Sequence, residues 1–125
     1  MEKIIAVALG GALGSVGRYL IAVAAGTYHG HSFPTGTFIA NLLGCLLIGI
    51  LWSYFDRVHI SNEFRLFLFS GFLGGFTTFS TFARETMQLF KTGEHLLGFT
   101  YLALSNICGL SMVAVGFFLA HRLFR

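Results

Sequence analysis

Four apolar runs dominate this chain, at positions 4–25, 37–55, 64–89 and 97–119. Each is close to, or longer than, the roughly 20 residues a helix needs to cross the hydrocarbon of a bilayer. In lipid every backbone amide and carbonyl must find a partner inside the protein, which leaves helices or closed barrels as spanning structures. Uninterrupted runs of this length read as helices. The expected fold is therefore an all-α membrane protein with four transmembrane helices in a single domain, residues 1–125. The connections, 26–36, 56–63 and 90–96, are short, and no internal repeat or low-complexity tract is evident. Composition agrees: 10% of residues are charged, against roughly 25% in a soluble domain, and mean hydropathy is +0.77. Such a chain cannot cover itself against water.

The same features exclude several functions. Net charge is +3, but the basic residues are scattered at segment ends and form no stripe, so they read as interfacial anchors and nucleic acid is not an expected partner. Lys3, the first apolar run and Ala22-Val23-Ala24 share features with a cleaved leader. Arg18 interrupts that run and three more follow, so it is read as a span. Cys45 and Cys108 fall within spans and read as small apolar filler. His29 and His31 form a His-x-His pair with nothing nearby to complete a metal site. No nucleophile–base pair, phosphate-cradling loop or paired carboxylates stand out, so no enzyme is expected.

An even number of spans puts both chain ends on one side of the membrane. Lys3, Arg57, Arg65, Arg122 and Arg125 fall there, with Arg84 and Lys91 opposite and Arg18 near them. The positive-inside rule favours a cytoplasmic N-terminus by a narrow margin. So small a bias is compatible with insertion in both orientations.

Small residues recur at helical spacing: Gly10, Gly14 and Gly17; Asn41 and Gly44; Gly71 and Gly75; Ser105, Gly109, Met112 and Gly116. In lipid, where water supplies no drive for packing, such faces let backbones approach closely. Four helices of this length leave little room for a wide internal path, so transport would call for a second copy. The polar residues within spans are the informative exceptions. Arg18 has two readings, a side chain snorkelling to the interface or a group that attracts ions. Asn41 has two as well, a helix–helix hydrogen bond or a donor on a pathway.

Positions 74–82 read GGFTTFSTF. Each glycine lowers helix propensity by about 1 kcal/mol relative to alanine, so the third helix is expected to break between Gly74 and Thr78. A break frees backbone groups that protein, water or an ion must satisfy. Freed carbonyls suit a small hard cation; freed amides and the hydroxyls of Thr77, Thr78, Ser80 and Thr81 suit an anion. Some of those hydroxyls can instead bond back to their own helix. Phe79 and Phe82 lie on one face of a helix resuming here, and the positive edge of a phenyl ring can touch an anion. The stretch points to a narrow path for a small anion, without choosing fluoride over chloride.

GGALGSVGRY at 10–19, PTGTFIANLLG at 34–44 and GGFTTFSTF at 74–82, in this order and setting, resemble the Fluc (CrcB) fluoride channels of microbes over essentially the full chain. The resemblance implies a multi-pass protein of the bacterial inner membrane that passively exports fluoride and so relieves its toxicity. It implies an antiparallel, dual-topology homodimer with two pores near the subunit boundary. Carried over to this sequence, it implies that Asn41, Phe79, Phe82, Ser80, Thr81 and Glu85 line the fluoride pore and that Arg18 draws anions into a vestibule. It also implies a structural sodium ion at the dimer centre, held by the backbone carbonyls of Gly74 and Thr77. The family often carries a serine in the fourth helix near the position of Gly109, which leaves Ser105, Asn106, Ser111 and Tyr101 as alternatives here. Arg84 could pair with its neighbour Glu85 and draw it away from the ion path. The competing readings are a small proton-coupled multidrug antiporter and a non-transporting assembly subunit. The first wants a carboxylate in the first helix, which has no acid after Glu2. The second leaves GGFTTFSTF without a role.

Overall fold

A computed structural model describes residues 1–26 and 33–125. Its helices are α1 (Glu2–Ala24), α2 (Thr35–Phe55), α3 (Asn62–Arg65), a π-helical stretch (Leu66–Leu73), α4 (Gly74–Phe76), α5 (Ser80–Lys91) and α6 (His95–Leu123). The pieces from α3 to α5 form one span, Asn62–Lys91, so four segments are long and apolar enough to cross a membrane. Among the described residues there is no strand. His29 and His31 lie outside the described residues.

The helix ends follow local chemistry. Gly26, with φ +67°, ends α1 in the left-handed region that glycine enters without steric cost. Gly93, φ +82°, ends α5: its amide bonds Phe90 O at 3.2 Å and the Glu94 amide bonds Leu89 O at 2.9 Å. That pairing satisfies carbonyls the helix would otherwise orphan. Pro34 directly precedes α2. The Ser61 hydroxyl opens the third span by accepting the Phe64 amide at 3.1 Å. Helices outrun the apolar runs at several ends because polar residues such as Glu2, Asn62, Glu63 and His95 continue the helical winding.

Two helix pairs make the bundle, α1 against the third span and α2 against α6. Glycines set both contacts. A Cβ on Gly10 would overlap the Phe67 carbonyl oxygen, and one on Gly14 that of Phe72. In the second pair, a Cβ on Gly49 would overlap the Val113 carbonyl oxygen, and one on Gly116 would lie 2.6 Å from Leu46 O. The expected glycine faces thus become backbone-on-backbone contacts, the form of packing that works without a hydrophobic drive. A buried cluster of Phe82, Leu89 and Tyr101 joins α5 to α6, with Phe33, Phe38 and Leu97 against it. Outward faces of α1 and α6 are apolar and exposed, as at Leu9, Leu13, Phe99 and Leu110, and suit contact with acyl chains.

The break differs from expectation. Gly74 and Gly75 are helical; the winding stops at Thr77, whose φ −92° and ψ 156° are extended, and resumes at Ser80. The reason lies in packing. A Cβ on Gly75 would sit 2.7 Å from Gly11 O, so this glycine admits α1 and does not terminate its own helix. The chain breaks two residues later, at Thr77, where side chains replace the lost helical partners. The π-helical winding just before the break had no counterpart in the sequence pattern.

Candidate functional site

At the break, the amides that should continue the helix are diverted one by one. In an unbroken helix the Thr78 amide would serve Gly74 O. It donates instead to Asn41 Oδ1 at 2.8 Å, while Asn41 Nδ2 donates to Thr78 O at 3.0 Å. The Thr81 amide would serve Thr77 O, yet it donates to Thr78 Oγ1 at 3.1 Å. Gly75 O, left by the Phe79 amide, accepts from Arg18 Nε at 3.1 Å. Thr77 Oγ1 turns back to Leu73 O at 2.9 Å, the self-satisfied behaviour open to a hydroxyl near a helix end. The carbonyls of Gly74 and Thr77 are thus left without a donor among the described residues. Carbonyl oxygens so released are the donor set a small hard cation takes.

Beside the break lies an open cavity of about 410 Å³. Asn41, Thr77, Thr78, Ser105 and Asn106 supply its polar wall; Phe69, Leu73, Phe79 and Phe82 supply much of its apolar wall. An amide nitrogen carries two donors, so Asn41 can hold Thr78 and still present an N–H. Ser105 Oγ is buried with no partner among the described residues, whereas Asn106 Nδ2 bonds Leu102 O at 2.8 Å. The Phe79 and Phe82 rings have centroids 5.8 Å apart and planes tilted by 54°. They differ in burial: Phe79 is 79% exposed in the protomer and Phe82 only 7%.

Behind Phe82 stands a second polar group. Phe82 meets Tyr101 edge-on at 5.0 Å. The Tyr101 hydroxyl donates to Glu85 Oε1 and Thr37 Oγ1 donates to Glu85 Oε2, each at 3.0 Å. Tyr101 is fully buried and Thr37 is 7% exposed. Both carboxylate oxygens are therefore held by hydroxyls, and Arg84, exposed, makes no hydrogen bond to them.

Of the residues singled out in the sequence, the cavity brings together Asn41, Phe79, Phe82, Gly74 and Thr77. Ser80, Thr81, Glu85 and Arg18 are not among those lining it. Ser80 is exposed, 3.5 Å from the Thr78 hydroxyl; Thr81 enters through its amide alone. Arg18 sits on the α1 side, its Nε spent on the break. Ser105 and Asn106 join the wall from the fourth helix; Ser111 is exposed and not part of it. Thr37 as a partner of Glu85 was not foreseen. Its place one turn before Asn41 on the same helix was the available signal.

Residues 5–117 match the family model described as CrcB-like protein, Camphor Resistance (CrcB). A relative from Desulfotalea psychrophila, "Fluoride-specific ion channel FluC", is 65% identical over 95% of this chain and 92% of its own. Proteins of the same name from Phocaeicola vulgatus and Flavobacterium psychrophilum are 42% and 40% identical. They match over 96% and 98% of this chain and 99% and 100% of their own.

Proposed function

This chain belongs to the CrcB-like family, and on that premise we propose that it is a fluoride-selective channel through which fluoride leaves the cell down its gradient. It is a multi-pass protein of the bacterial cell membrane and not an enzyme: its cargo crosses chemically unchanged. The observation that carries the reading is the meeting of Asn41, Phe79 and Phe82 in one cavity beside a broken helix. Fluoride is small and holds its water tightly, so a path for it must return hydrogen bonds as water leaves. The free Asn41 N–H, the unpartnered Ser105 hydroxyl and ring edges of Phe79 and Phe82 are suitable replacements. Chloride, being larger, fits a tight passage poorly. Ser80, Thr81 and Glu85 extend the path beyond the rings, and Arg18 biases its entrance toward anions.

The channel is an antiparallel homodimer with two pores. One protomer leaves Phe79 79% exposed and the cavity open along one side; a second, inverted copy closes it. The small excess of basic residues at one end is compatible with insertion in both orientations. A structural sodium ion fits the dimer centre. The carbonyls of Gly74 and Thr77 would hold it, because their usual amides are engaged elsewhere. Its charge would pin the two breaks together.

Efflux from liposomes tests the reading. Purified protein is expected to release fluoride quickly and chloride barely, with no proton gradient. Proton-dependent drug exchange without fluoride flux would instead support an antiporter, and no flux of either ion a non-conducting subunit.

A further inference from the structure

Where α2 hands over to α3, one arginine is held unlike the others. The Arg65 guanidinium lies 5.7 Å from the centroid of the Trp52 ring and 5.9 Å from that of Phe69. Those two rings meet edge-on at 5.1 Å and 69°, forming a corner for the cation. Arg65 Nη2 donates to Phe55 O at 3.0 Å and so caps the end of α2. Its remaining N–H donors have no partner among the described residues, and no carboxylate is within ion-pair reach. Trp52 is 46% exposed, and its indole N–H, a donor only, is likewise unpartnered. By contrast Arg57 is committed within the chain, to Phe124 O at 3.2 Å and His121 Nδ1 at 2.9 Å, and Arg122 lies over the Phe118 ring at 5.0 Å.

We propose that Arg65 and Trp52 form a binding site for the phosphate headgroup of an anionic phospholipid. Their place along the chain sets the depth: the last turn of α2 and the start of the third span are where the apolar runs stop, at headgroup level. The planar guanidinium matches two phosphate oxygens, and the aromatic corner fixes its orientation before a lipid arrives. Arg57 and Arg122 at the same end add positive potential, which favours a net negative lipid over one whose own ammonium cancels its phosphate. Phe69 is shared with the cavity wall, so the bound headgroup adjoins the cavity. The site stands whether or not the ion is fluoride.

Trp52 is the single tryptophan in the chain, so its emission reports from the site itself. The test uses the full-length protein in phosphatidylcholine vesicles containing an equal fraction of brominated phosphatidylglycerol or brominated phosphatidylcholine. The expected result is about fivefold tighter association of the phosphatidylglycerol quencher. In Arg65→Gln most of the preference is lost, and in Arg57→Gln most of it remains. Arg65→Lys keeps the charge without the fork and gives an intermediate preference, which serves if the glutamine variant does not fold. Equal quenching by both lipids in the unmodified protein, or a preference undiminished in the Arg65 variants, overturns the proposal. Recovery of emission on adding inorganic phosphate also overturns it, by assigning the site to a free ion.

Discussion

Asn41 and Thr78 pair as if they were two peptide units of a sheet: Nδ2 donates to the Thr78 carbonyl at 3.0 Å while Oδ1 accepts the Thr78 amide at 2.8 Å. One side chain from α2 thereby stands in for the helix that the third span gives up. Holding the break and facing the cavity fall to one side chain, because the same amide carries a second N–H beside the cavity.

Replacing Asn41 by alanine removes both bonds, and each half-buried backbone group left without a partner costs about 1–3 kcal/mol. Both the melting temperature in detergent and fluoride efflux should fall. Asn41→Asp keeps an acceptor for the Thr78 amide but loses the donor and sets a negative charge on the anion's route. Its efflux should drop tenfold or more, with a smaller loss of stability than for alanine. Unchanged efflux in the aspartate variant would take Asn41 off the path.

Phe79 and Phe82 should separate flux from stability. Phe79→Ile changes a ring that is 79% exposed in the protomer, so protomer stability should move by no more than about 0.5 kcal/mol while efflux falls severely. Phe82→Ile disturbs the buried contact with Tyr101 and should lose about 1–2 kcal/mol as well as efflux. Both variants should still run as dimers on size exclusion. Normal efflux in both would dispose of the ring-edge contact.

Arg18 offers a choice between anchoring and attraction. Its bond to Gly75 O is charge-assisted, worth about 1.5–3 kcal/mol. If it anchors the break, Arg18→Gln lowers the melting temperature, and added salt does not erase its effect on efflux. A purely attractive charge gives the opposite result: stability unchanged, and a flux defect that vanishes at high ionic strength.

The glycine contacts predict a graded series along α1. At Gly14 a methyl group would overlap the Phe72 carbonyl, and the backbone there has nowhere to go. Gly14→Ala should leave little folded protein in a detergent extraction. At Gly17 the nearest atoms are ring carbons of Phe76 at 3.5 Å, ordinary contact, so Gly17→Ala should extract and melt much as the unmodified chain does. Equal yields for the two would show that α1 does not lie this close to the third span.

Apolar run lengths made the four spans legible, and helical spacing made the glycine faces legible, because both are periodic properties of the chain itself. The break was legible to within a few residues, since Thr77 and Thr78 lie in the expected stretch, but its cause was not. Gly74-Gly75 lowers helix propensity, but Gly75 was needed for closeness to Gly11, and the actual break is decided by Asn41, a partner 37 residues away. Side-chain commitments were hidden for the same reason. Nothing in the order of residues announces that Glu85 spends both oxygens on Thr37 and Tyr101. Nor does it announce that Arg18 reaches across to the carbonyl of Gly75. Ser105 could be seen as a candidate through the resembled family's serine near Gly109; its orientation could not.

The wide winding from Leu66 to Leu73 acts on everything that follows it in the span. A π turn holds more residues than an α turn, so it sets the azimuth at which Thr77, Phe79 and Phe82 leave the axis. Within that stretch Gly71 leaves no room for a side chain, since a Cβ there would lie 2.9 Å from Val7 O on α1. Deleting a single residue from it would swivel the whole downstream face, so chain length there governs the direction in which Thr77, Phe79 and Phe82 point.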